Sequence, residues 1–171
     1  MRVGVILPAT FTDAAEFLAD AAAFDAAGAD SLWVAAKSGE LEPLVLLAAI
    51  AAVAPRTRLG AALGSRKAWP PAVLEQIVTT LRQLSRGRPV FILAGELEGM
   101  LELDPEDGGP ELERWLVVPG PENRAAWVET LAAAEEAGAT GVAVPASPRL
   151  LDLLRNPDPG DGRRDLLLAQ G

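Results

Sequence analysis

The sequence predicts an α/β fold of about six mostly parallel strands alternating with helices, either an open sheet or a barrel about two units short of eight. Three observations carry this expectation. Compact apolar runs with β-branched residues alternate along the chain with segments of helical period. Ala27-Gly28-Ala29 precedes Val34 at the interval at which Ala137-Gly138-Ala139 precedes Val144, so one helix-Gly-strand joint is used twice. With 171 residues, half of them apolar, the chain can build one real core but falls short of the roughly 250 residues that an eightfold barrel takes.

The elements follow in order. Val3 to Leu7 is a short apolar run closed by Pro8 and reads as a buried strand. Thr12 caps a helix from Asp13 to about Ala27, where Phe17, Ala21 and Phe24 form one apolar stripe and Gly28 is the stop. Ser31 to Ala35 is the second strand. The next helix runs from Pro43, tolerated in a first turn, to Ala54, ahead of Pro55. Its 11 residues from Leu44 to Ala54 include no polar side chain, so one face against a sheet does not explain it and a second covering surface is required.

Arg58 to Leu63 is the third strand. Pro70-Pro71 opens a helix in which Val73, Leu74, Ile77, Val78, Leu81 and Leu84 recur at helical spacing until Gly87, and Pro89 to Leu93 is the fourth strand. The pattern breaks from Gly95 to Glu113, which holds eight acidic residues, no basic ones and the run Asp104-Pro-Glu-Asp-Gly-Gly-Pro. It reads as a loop or lid. Regularity returns with a strand from Trp115 to Val118, a helix from Glu122 to Ala137, a strand from Gly141 to Val144 and a short helix from Pro148 to Arg155. A single domain results: residues 1–94 hold four βα units, 95–113 the acidic loop, 114–155 the last two units, and 156–171 a mobile tail.

Composition excludes much chemistry. The chain has no His, no Cys and no Tyr. That removes Ser-His-Asp and Cys-His nucleophiles, disulfides, a phenolic acid and a His/Cys metal site, and no other metal-ligand set is predicted. Reaction chemistry is left to carboxylates, Lys or Arg, backbone amides or a bound cofactor. A formal net charge of -9 opposes a phosphate backbone, so no nucleic-acid partner is expected. The 11-residue apolar run is well below the roughly 20 residues that cross a bilayer. The apolar stretch near Met1 is short for a signal peptide, so a cytoplasmic protein without a membrane partner is expected.

Asp30-Ser-Leu-Trp-Val, Pro43-Leu-Val-Leu-Leu-Ala-Ala, Arg58-Leu-Gly-Ala-Ala-Leu, Pro71-Ala-Val-Leu-Glu-Gln and Gln83-Leu-Ser-Arg-Gly-Arg occur in an order and spacing that resemble the bacterial luciferase-like superfamily. Its members are flavin-dependent monooxygenases and deazaflavin-dependent oxidoreductases on a TIM barrel. The likeness spans roughly residues 2 to 96, and Arg114 to Arg155 looks like the family's last two units. The resemblance therefore implies a shortened TIM-barrel-like fold, with the acidic segment in place of the middle units. It implies FMN or the deazaflavin coenzyme F-420 as cofactor, unless none is bound. It also implies a homodimer through the helix Leu44 to Ala54, whose small Ala48, Ala49, Ala51 and Ala52 permit close packing.

The resemblance places an Asp-His pair of many deazaflavin-using relatives at Ala36 and Lys37, so the usual imidazole is missing. Gly95-Glu96 matches a Gly-Glu that supplies an acid in some relatives. Glu96 is thus the candidate catalytic residue, acting as a general acid if burial raises its pKa, against the alternative of a solvated acidic loop. Ala62 and Leu63 match a site where relatives often carry a non-proline cis peptide under the flavin ring. Gly64, Ser65 and Arg66, with Lys67, form the one basic cluster among the loops at the carboxyl ends of the strands; it either holds an anionic cofactor tail or is a solvated turn. Trp69 either stacks on an isoalloxazine ring or staples the start of the next helix. Trp33, Trp115 and Trp127 are expected in the core. Two functions stay open: a flavin- or deazaflavin-binding oxidoreductase-type protein, and a non-catalytic relative serving as scaffold, cofactor store or partner subunit.

Overall fold

A computed structural model describes residues 1–35, 41–63, 69–88, 90–93, 96–103 and 112–157. The chain runs β1 (Arg2–Ile6), α1 (Ala14–Ala26), β2 (Ser31–Ala35), α2 (Pro43–Val53), β3 (Arg58–Ala62), α3 (Pro71–Leu84) and β4 (Val90–Leu93). It continues with β5 (Met100–Leu103), β6 (Glu113–Val117), α4 (Arg124–Glu136), β7 (Gly141–Pro145) and α5 (Pro148–Arg155). The strands form one sheet in the order β4-β3-β2-β1-β7-β6-β5. Neighbours are parallel except β5, which runs antiparallel to β6. The sheet curls into a nearly closed barrel, because β4 and β5 at its two edges contribute to one interior cluster of Trp33, Phe91, Leu101, Leu103 and Trp115.

Two expectations are corrected. The stretch Gly95 to Glu113 is not wholly loop: Leu101 and Leu103 of β5 turn inward while Met100 and Glu102 face solvent, and Glu113 opens β6. The first helix is capped by Asp13 rather than Thr12, since the Asp13 carboxylate accepts from the amides of Ala15 at 2.7 Å and Glu16 at 3.4 Å. The repeated joint, by contrast, has the same geometry at both places. Gly28 (φ 89°) and Gly138 (φ 79°) take the left-handed conformation, and the following Ala29 and Ala139 amides reach back to the Phe24 and Ala134 carbonyls.

Residues two apart along a strand share a face, so each strand sends alternate side chains into the barrel. Trp33 and Trp115 are fully buried there and fill the middle layer. Glycine makes room for them. Gly60 is the registered partner of Trp33 and Gly141 that of Trp115. A Cβ at Gly141 would lie 2.9 Å from the Trp115 ring, and one at Gly4 2.7 Å from Trp33 Nε1.

Below this layer, at the amino ends of the strands, Arg58 holds Glu113 with two bonds of 2.9 and 3.0 Å. Arg2 pairs with the same carboxylate, and Trp115 Nε1 donates to it at 2.9 Å. The Arg58 guanidinium lies 5.3 Å from the ring centres of both Phe91 and Trp115. Burial raises the Glu113 pKa, yet the bonds from Trp115, Arg58 and Arg2 outweigh it and hold the carboxyl below its ordinary value.

Outside the barrel, the helices pack on the sheet through a second cluster that includes Phe17, Phe24, Leu47, Ile50 and Trp127. The all-apolar α2 lies between α1 and α3, which supply part of the extra cover it needs. Its Leu44, Leu46, Leu47 and Ile50 are buried, but Val45 remains 67% exposed. No helix among the described residues is long and apolar enough to cross a membrane.

Candidate functional site at the barrel mouth

Parallel α/β sheets place ligand sites at the carboxyl ends of their strands, because the loops there are free to vary on a fixed scaffold. A cavity of about 500 Å³ occupies that end of this barrel, within the range of small-molecule sites. Ile6 at the end of β1 with Leu7 to Thr10 after it, Ala35 at the end of β2, Val117 of β6, and Pro145 with Ala146 at the end of β7 form most of its wall. Glu96, Leu97 and Glu98, which follow β4, close it. Ile6, Leu97 and Val117 also pack against the Trp33–Phe91–Trp115 cluster, so the filled interior is the floor of the cavity.

The lining is apolar apart from Thr10, Glu96 and Glu98. A flat aromatic ring suits such walls in size and polarity. A phosphate tail is opposed by the two carboxylates, and the described lining offers it no cation. Cationic groups for a tail would have to come from Ser65-Arg66-Lys67 or Lys37, which lie outside the described residues together with Gly64 and Gly95.

The predicted site residues therefore separate. Glu96 is at the mouth and exposed. Ala62 and Leu63 are buried in the barrel wall and do not line the cavity; Leu63 N donates to the Leu93 carbonyl at 3.0 Å. No cis peptide bond occurs among the described residues, so the Ala62-Leu63 link is trans, in contrast to the expectation from the resemblance. Trp69 lies elsewhere, in a groove of about 480 Å³ between α2 and α3 beside Val45, Ile77 and Leu84. It packs against the outer core ahead of Pro71, the arrangement of a helix staple.

Residue-level reading singled out only Glu96 within the strand-end loop Gly95 to Glu98 and passed over Leu97, an apolar residue flanked by two glutamates. It also missed the interior Arg58–Glu113 pair. Both members stand at the first position of a strand, and that placement was the usable signal.

A sequence model of luciferase-like monooxygenases matches residues 1–96, more than half of the 171 positions. Among solved structures, the monooxygenase RslO1 from Streptomyces bottropensis is similar at 21% identity and a TM-score of 0.45, over 53% of this chain and 32% of that one. This chain thus spans about a third of that protein's length. No curated protein matches it.

Proposed function

The chain belongs to the luciferase-like monooxygenase family, and on that premise we propose that it binds a flavin such as FMN, or the deazaflavin coenzyme, at the barrel mouth and serves a redox reaction. The observation that carries this reading is the apolar cavity at the carboxyl ends of the strands, floored by Ile6, Leu97 and Val117. A bound cofactor of this kind supplies hydride or electron transfer, and the protein supplies position and electrostatics. Ile6, Ala35, Val117 and Pro145 would hold the ring and exclude water from one face of it. Glu96 and Glu98 are the groups at the rim able to take up or release a proton. The absorption spectrum of freshly purified protein, followed by titration with both cofactors, tests the reading; a colourless protein that binds neither would end it.

A second reading, a non-catalytic relative that keeps the scaffold for assembly, is favoured by the carboxylate-only charge of the described lining and by the lack of His anywhere in the chain. Under either reading α2 forms a symmetric contact with a second copy. Exposed Val45 beside the apolar α2–α3 groove supports this.

A further inference from the structure

The edge strands β4 and β5 are joined by the short stretch between Leu93 and Met100. β4 runs toward the mouth and β5 runs away from it, so Glu96 to Gly99, which lead into β5, lie at the mouth end of the barrel. In the described part of this stretch the pattern is simple: Glu96 and Glu98 are exposed, and Leu97 between them is half-buried against the interior cluster. Leu97 shares the cavity floor with Ile6 and Val117, but those two belong to strands fixed by the sheet ladder. Among the described residues no hydrogen bond or ion pair holds Glu96, Leu97 or Glu98. The next residue is fastened: the Gly99 carbonyl accepts from the Val117 amide at 2.8 Å. Gly99 has a φ of 60°, where glycine turns freely and other residues rarely go.

We infer that Glu96–Gly99 is a strap at the barrel mouth in which Leu97 is a removable stopper over the interior cluster, and that a ligand settling in the cavity displaces Leu97 by rotation about Gly99. Among the described residues apolar contact alone retains Glu96 to Glu98, so their displacement is a local event independent of global unfolding. The gating role rests on the mouth being the ligand site proposed above, whereas the shielding of the interior by Leu97 does not.

The two parts separate experimentally. In a Trp69→Phe/Trp127→Phe background only Trp33 and Trp115 fluoresce, and acrylamide quenching reads access to the interior. Leu97→Ala is expected to raise the quenching constant about twofold or more with an unchanged far-UV spectrum, and Leu97→Met to restore it. An unchanged constant overturns the stopper. If the double background does not fold, hydrogen exchange on the unaltered chain decides: fast exchange at Leu97 and Glu98 beside slow exchange in β6 supports the strap, and equal protection overturns it. Riboflavin, an uncharged probe, then tests the gate. Faster association with Leu97→Ala than with the unaltered chain supports it. Equal rates overturn it, and an absence of riboflavin binding to both proteins beside increased quenching overturns the gate while the stopper stands.

Discussion

Trp33 stands over Gly60, its registered partner on the neighbouring strand, so closely that a Cβ at position 60 would fall within the indole. The barrel is thus filled by a few large rings over small residues, and the two sizes depend on each other. Gly60→Ala is expected to cost about 2 kcal/mol through overpacking, measured as a shift of the denaturant midpoint at constant slope. Adding Trp33→Leu should recover part of that loss, because the two sites share one space. A neutral Gly60→Ala would contradict the layered interior.

At the amino end of the barrel Glu113 is the sole carboxylate holding Arg58 across the interior among the described residues. With side chains only 8% and 17% exposed, removing one charge strands the other. Glu113→Gln is expected to cost about 3 kcal/mol at neutral pH. A loss below about 1 kcal/mol, the range of surface pairs, would refute the buried pairing.

The same carboxylate sets an acid limb. Its folded-state pKa lies below the ordinary 4.5, and that of Asp25, which accepts from the Arg56 and Thr57 amides, lies below 3.8. The unfolded chain therefore binds these protons more readily, so stability is full above the ordinary values and is lost as pH falls through the folded-state ones. Unfolding free energy should decline as pH drops below about 4.5, and Glu113→Gln should flatten that decline. Parallel pH profiles for the two proteins would be inconsistent with the hydrogen-bonded carboxylate.

Val45 projects from α2 beside the groove formed with α3. Val45→Glu is expected to convert a dimer into a monomer in light scattering while changing unfolding free energy by less than about 0.5 kcal/mol, as for a surface site. A monomer at micromolar concentration in the unaltered protein would remove the interface.

Most of this fold was legible because hydrophobic period and glycine stops coincide: α1, α2 and α3 and the first four strands lie close to where their patterns place them. β5 was hidden because only Leu101 and Leu103 carry its inward face, inside a stretch whose acidity signals a loop. The rule that strand ends build sites located Glu96, which lines the cavity. It does not tell whether a loop turns inward or outward, and Trp69 turned outward because the start of α3 seats it against the outer core. The interior ion pair escaped notice because pairing between β3 and β6 arises only when the sheet curls.

The most direct test is a titration of the purified protein and of Ala35→Phe, which fills the mouth, with FMN and with the deazaflavin coenzyme. Saturable quenching of ring fluorescence by the unaltered protein with at least one cofactor, lost in a folded Ala35→Phe, is the expected result. No quenching of either cofactor, or quenching that survives the filled mouth, would contradict a cofactor site at this end of the barrel.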